Sequence, residues 1–323
     1  MKRGLFLNIL LMSAMITACA APPAASTQIA TSVKLPSLTD YLQMEVKPSA
    51  TDSSITAFDH VHRVLYDPKI QNNNILLFLT GTTEKPGFGP KSFFQTALAQ
   101  GYRVINLSYI SYPAVSQVCV GKLLAKDPDC AAHFRQKRIY GDNDFTVIPD
   151  QAQDAITHRL TQLLQYLAKN DPNGHWQQYL KDGQPAWHKI AVSGQSQGGG
   201  MAQYLGKKES LARIISFSGG WDFSSRGHVA NWYYTAAVTP AERWYATYNV
   251  KEGFADEMHQ ISLALGIPSK HIFALDKPLL ERTKPLPANK PDWAPAHGDG
   301  LSNIAYQDVW RTMLGSGLPS NKN

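Results

Sequence analysis

The hydrophobic pattern alternates between short apolar runs and longer helical faces. His60 to Tyr66 (HVHRVLY) alternates with period two and predicts an edge strand. Ile75 to Leu79 (ILLFL) is apolar throughout, as a strand buried on both faces must be. Ser92 to Gln100 predicts a short helix stopped by Gly101, and Arg103 to Leu107 the next strand. From Asp150 to Ala168, apolar residues recur at helical spacing, from Ala152 through Leu160 to Leu167. Lys189 to Val192 predicts a strand and Gly198 to Lys207 a helix. Strands follow at Arg213 to Phe217, Trp244 to Tyr248 and His271 to Leu275. A helix from Glu257 to Leu265, stopped by Gly266, separates the last two, and Ile304 to Leu314 predicts a closing helix. Strands alternating with helices imply βα units, a mostly parallel central sheet and helices on both faces.

The stretch Ser108 to Pro149 breaks this rhythm. It is too long for a plain connection, and it carries Cys119, Cys130 and several aromatics. A structured insertion after an early strand predicts a lid or binding loop, or else a surface excursion with no part in binding.

The N-terminus is a targeting segment. Lys2 and Arg3 precede an apolar run, Leu5 to Ile16, too short to span a bilayer. It ends in Ile16-Thr17-Ala18-Cys19, which resembles the lipobox of bacterial lipoproteins. That resemblance implies cleavage after residue 18, a lipid on Cys19 and, with Ala20 following, anchorage to the outer membrane. A plain secretory signal, giving a soluble periplasmic or secreted protein, is the alternative. Residues 19–40 then read as a lipidated cysteine and flexible tether, and 41–323 as one folded domain.

Cysteine usage agrees with export. Of three cysteines, lipidation would remove Cys19, leaving Cys119 and Cys130 as an expected disulfide pair in an oxidising compartment, with two free buried thiols as the alternative. The composition, 43% hydrophobic and 17% charged, is that of a globular domain. The net charge of +6 is scattered and forms no basic stripe interleaved with aromatics, so no nucleic-acid partner is expected.

The chemistry centres on Gly194-Gln195-Ser196-Gln197-Gly198, a G-x-S-x-G motif between a predicted strand and a predicted helix. A nucleophile elbow needs this context: a tight turn lifts the serine hydroxyl clear of the sheet, and small flanking residues let strand and helix approach. A serine needs a base, and His297, in a predicted loop (AHGDG) before the closing helix, follows in the expected chain order. The acid should follow a late strand. Glu252, after Trp244 to Tyr248, is the first candidate; Asp222, one strand earlier, is the alternative, and Asp256 a third. The oxyanion hole would take the backbone N–H of Gln197 and one from the loop Thr80-Gly81-Thr82-Thr83, assigned to Thr82.

Together FLTGT after a buried strand, VSGQSQGGGMAQYLGK, FSGGWD, YNVKEGF and the late AHG resemble a bacterial, exported branch of the α/β-hydrolase superfamily whose substrates are unassigned. The resemblance runs from about residue 65 to 314. It implies an α/β-hydrolase fold and a serine hydrolase that cleaves a carboxylic ester, small or lipid-like, through an acyl-enzyme on Ser196. Thr-Gly-Thr stands where many lipases carry His-Gly in the oxyanion loop. An acyltransferase on the same triad, or a catalytically silent envelope module with a binding role, are the alternatives. No cofactor is implied. His60 and His62 have no third ligand at suitable spacing, so no metal is expected, and neither HExxH nor a phosphate-binding loop is present. Oligomeric state is not encoded in any of these patterns.

Overall fold

The computed structural model describes residues 35–71, 73–83, 89–142, 144–281, 285–288 and 290–317. The signal segment, Cys19 and most of the tether lie outside them. The described fold begins at Leu35, where a short 3-10 turn, Leu38–Asp40, is capped by Ser37 and Pro36 O accepts from Gln95 Nε2 at 2.6 Å.

In chain order the main elements are β1 (Leu42–Val46), β2 (His62–Tyr66), β3 (Ile75–Leu79), α1 (Lys91–Ala99), β4 (Arg103–Leu107), α2 (Cys130–Tyr140) and α3 (Ile156–Asn170). They continue as β5 (Ile190–Gln195), α4 (Gln197–Lys208), β6 (Arg213–Phe217), β7 (Trp244–Asn249), α5 (Ala255–Ala264), β8 (Ile272–Leu275), α6 (Ala294–Ser302) and α7 (Gln307–Leu314). The eight strands form one sheet in the order β1-β2-β4-β3-β5-β6-β7-β8. β2 runs antiparallel to both of its neighbours, and every other pair is parallel. This is the α/β-hydrolase fold.

The period of two explains the layers. Ile75, Leu77, Leu79, Ile190 and Val192 point to one face, where they meet Leu160, Leu163 and Leu164 of α3 and Met201 and Leu205 of α4. Leu76, Phe78 and Ala191 point to the other, against Phe93 and Phe94 of α1 and Trp310 and Met313 of α7. Both faces are covered, so the central strands are apolar throughout.

Four expectations need correction. The edge strand is β1, not the His60 to Tyr66 run. β1 shows little alternation because only Val46 is buried along it, yet it covers β2 and shields it from solvent. The long helix starts at Ile156 rather than Asp150, because Asp150 and Asp154 are drawn into ion pairs with Arg138 and Arg159, at 2.7 and 2.9 Å. The closing helix starts at Gln307, after a 3-10 turn, Ile304–Tyr306, capped by Asn303. His297 lies on α6 and not in a loop. Pro295 fits the first turn of that helix, and Gly300 lets it press on β8, where a Cβ would come within 2.4 Å of Leu275 Cδ1. Packing overrides the poor helix propensity of its two glycines.

The insertion folds as two short helices, Val115–Val118 and Gly121–Lys126, followed by α2. A disulfide joins Cys119 to Cys130 across it.

Candidate active site

β5 ends in Gln195, and α4 begins at Gln197, leaving Ser196 alone in the turn with φ 54° and ψ −118°. This backbone is strained for a residue with a Cβ, by roughly 1–3 kcal/mol, and is held by two hydrogen bonds. Ser196 N donates to Phe217 O at 2.9 Å, and Ser196 O accepts from Gly200 N at 3.0 Å. Gly198 is required by close approach: a Cβ there would sit 2.0 Å from Leu79 O. The elbow is thus clamped between β3 and β6.

Glu252 sits in the turn after β7, with its carboxylate buried at 1% exposure. Its Oε1 accepts from Ser218 Oγ at 2.6 Å and from Asn249 N at 2.8 Å. Its Oε2 lies 2.5 Å from His297 Nδ1. A carboxylate only accepts, so Nδ1 carries the proton and Nε2 keeps a free lone pair. The same imidazole is flanked edge-to-face by Trp221 and Trp293, with centroids at 5.3 and 6.1 Å. Gln195, the residue before Ser196, donates from Nε2 to His297 O at 3.1 Å, which ties α6 to the elbow.

Asp222, the alternative acid, has other partners. Arg135 holds it through Nε and Nη2 at 2.6 and 2.7 Å, and Trp232 Nε1 donates to it at 3.0 Å. Asp256 is exposed in the first turn of α5.

Ser196 opens on a cavity of about 650 Å³, which Thr82 and Gln197 also line. Val115, Val120 and Leu124 of the insertion form one wall, and Trp221, Phe223 and Phe254 face them. The insertion is therefore a wall of the cavity rather than a surface excursion. Thr82 belongs to the loop after β3, where Tyr109 Oη donates to Thr80 O at 2.6 Å.

Several participants had no assignment in the sequence. Ser218 holds Glu252 from a left-handed backbone, φ 44°. The SGG run after β6 is the one signal that could have flagged it. The Gln197 side chain binds the insertion, accepting from Val115 N at 3.1 Å and donating to Pro113 O at 3.2 Å. His62 is fully buried and accepts from Ser108 N at 2.9 Å, so it is a structural group of β2. No group of three or more metal-ligating side chains occurs among the described residues.

Strand order, the antiparallel β2 and the strand–turn–helix at Ser196 define the class: a chain of the α/β-hydrolase fold, with Ser196 on a cavity and a buried Glu252 carboxylate paired with His297. No family model and no curated protein matches the sequence. Among solved structures, the chain is similar to a bacterial heroin esterase, at 14% identity over 88% of this chain and 87% of that one, with a TM-score of 0.46. It is also similar to an esterase of the bacterial hormone-sensitive lipase family, at 14% identity over 87% of each chain and a TM-score of 0.43. An arylesterase matches at 11% identity over 84% of this chain and 83% of that one, with a TM-score of 0.42. Likeness at this level adds nothing to what the topology already establishes.

Proposed function

We propose that the protein is a serine hydrolase that cleaves a carboxylic ester through an acyl-enzyme on Ser196. One observation carries the reading: a buried carboxylate fixes the His297 tautomer while the adjacent elbow presents a hydroxyl to an apolar cavity. His297 Nε2 takes the Ser196 proton as Oγ attacks the ester carbonyl. The oxyanion of the tetrahedral intermediate is held by the N–H groups of Gln197 and Thr82, and Glu252 stabilises the imidazolium. The imidazolium returns its proton to the leaving alcohol. Water then attacks acyl-Ser196, with His297 again as base, releasing the acid and the free enzyme. A small-molecule or lipid-like ester with an apolar arm suits the cavity walls.

We propose also that Cys19 carries a lipid that anchors the protein to the outer membrane. No helix among the described residues is long and apolar enough to cross a membrane. Metabolic labelling with an alkynyl fatty acid should mark the wild type and not Cys19→Ser; equal labelling would exclude this anchor.

A fluorophosphonate probe tests the nucleophile. The expected result is a single adduct on the peptide containing Ser196, with p-nitrophenyl butyrate hydrolysis abolished in Ser196→Ala. Full activity in a folded Ser196→Ala protein would overturn the assignment.

A further inference from the structure

The cavity beside Ser196 carries a charge that the proposed chemistry leaves unused. Three charged side chains line it: Arg135, Asp222 and Arg226. Arg135 and Asp222, both buried, pair with each other at 2.6 Å and cancel as a unit. Arg226 is left over. It is exposed, and its side chain has no hydrogen-bond or ion-pair partner among the described residues.

The fold itself brings Arg226 to the cavity. A hairpin, Phe223–Ser225 against His228–Val229, follows Asp222, and Ala230 N donates to Asp222 O at 2.9 Å across its base. Ser225 faces His228 in that register, so Arg226 and Gly227 form the turn. Gly227 takes φ 75°, which a residue without a Cβ adopts at no steric cost. The His228 ring closes the turn, with Nδ1 at 3.1 Å from both Ser225 Oγ and Arg226 O. Phe223 and Ser225 are two residues apart on one strand and both line the cavity. That face of the hairpin looks into it. The lining residues Val120, Ser225 and Arg226 are exposed and mark its mouth, while Gln197 and Asp222 are buried.

Apolar walls that end at an uncancelled cation favour one kind of ligand. Val115, Leu124 and Phe223 gain from an apolar chain and nothing from a charge. At the mouth the guanidinium keeps part of its water, so an anion meeting it there avoids full desolvation. A cleft with low-dielectric walls focuses the field of that charge, which attracts an anion and repels a cation. The planar guanidinium fork matches two oxygens of a carboxylate or phosphate.

We propose that Arg226 is a specificity-determining residue, and that the preferred substrate is an amphiphilic ester whose apolar arm ends in an anionic head group, a carboxylate or phosphate, held by Arg226 at the cavity mouth. This inference rests on the ester-hydrolase reading and narrows its substrate class.

Matched esters test it. On the acyl side, the p-nitrophenyl monoesters of adipic, suberic and sebacic acid are compared with the corresponding monoamides. On the alcohol side, 6-acetoxyhexanoate and 6-acetoxyhexyl phosphate are compared with 6-acetoxyhexanamide. Arm length is varied because the head must reach Arg226 while the carbonyl sits at Ser196. The quantity read is the ratio of kcat/KM, anionic over neutral, so a general change in activity cancels. A partly hydrated ion pair predicts a preference of about three- to tenfold for the anionic member of at least one pair. The preference should shrink toward one in about 0.5 M salt. Arg226→Gln should bring the ratio to about one and Arg226→Glu below one, whereas Arg226→Lys keeps part of it. Calorimetric binding of the same compounds to Ser196→Ala, with and without Arg226→Gln, gives the comparison without turnover. Ratios near one in every wild-type pair, or a preference unchanged in Arg226→Gln, would overturn the inference. Ser196-dependent hydrolysis without a preference defeats this inference alone. An Arg226-dependent binding preference without Ser196-dependent hydrolysis defeats the esterase reading instead.

Discussion

Replacing Glu252 by Gln changes one atom of the site and separates the catalytic role proposed for it from its structural one. Oε1 of Glu252 accepts from Ser218 Oγ and Asn249 N, at 2.6 and 2.8 Å. In the Glu252→Gln variant, two donors at that end fix the amide oxygen there, so the amide NH2 must face His297 Nδ1. An NH2 cannot accept, and Nδ1 is forced into the acceptor tautomer with the proton on Nε2. That tautomer cannot take the Ser196 proton. The expected loss in kcat is about 10³- to 10⁴-fold, the cost of a wrong imidazole tautomer in a serine triad. Stability should suffer far less. The two retained hydrogen bonds lose only their charge assistance, about 2 kcal/mol together. Glu252→Ala, by contrast, strands the buried Asn249 N–H and the Ser218 hydroxyl, at about 1–3 kcal/mol each. The assays are p-nitrophenyl butyrate kinetics and urea unfolding at pH 7 on the same preparations. A Glu252→Gln protein that unfolds near the wild-type midpoint and keeps more than a tenth of wild-type kcat would refute the argument.

Three further perturbations bear on the scaffold. His62 is buried beside Arg159, and burial together with that charge pushes its pKa down to about 3. The unfolded chain protonates it near pH 6.5 while the folded one does not, so its contribution is fully present above 6.5 and is lost as pH falls toward 3. Between pH 7 and pH 5 the wild type should lose about 2 kcal/mol more unfolding free energy than His62→Asn, measured in urea; equal losses would show that the ring is not the cause. Gly198→Ala drives a Cβ to 2.0 Å from the Leu79 carbonyl oxygen and should destabilise by about 3 kcal/mol or more, seen as a lowered melting temperature or insoluble protein. Replacing both Cys119 and Cys130 by Ala opens a loop of sequence separation 11 and should cost about 3 kcal/mol in chemical denaturation; an unchanged midpoint would remove the bridge from the stabilising contacts.

The legible parts of the molecule were those written locally. The elbow needs a strand, a tight turn and a helix within about twenty residues, and all three leave marks in the sequence. The unbroken apolar runs at Ile75 to Leu79 and Ile190 to Val192 likewise mark central strands. Glu252, the carboxylate that meets His297, was reachable because chain order in this fold places an acid after a late strand. Long-range contacts left no such mark. Arg135 sits in CAAHFRQKRIY, where nothing local marks it for burial; its charge is met by Asp222, 87 residues away. β1 was missed because an edge strand with one buried residue has little pattern to read. The α6 helix was missed because its stability comes from contact with β8 and not from AHGDG itself.

The insertion after β4 is fastened too firmly to act as a freely swinging cover. Its first turn is held to the elbow by the Gln197 side chain, through Val115 N and Pro113 O. Arg138 donates to the same Pro113 O at 2.6 Å while paired with the buried Asp150. Arg135 crosses from α2 to Asp222, and the disulfide ties the cavity wall at Cys119 to the buried Cys130. Moving this wall as a body away from Ser196 would separate the Gln197 contacts and the Arg135–Asp222 pair together. Losing one partner of a buried ion pair alone costs about 3–5 kcal/mol. The cavity is therefore shaped before substrate arrives, and its apolar walls are fixed groups.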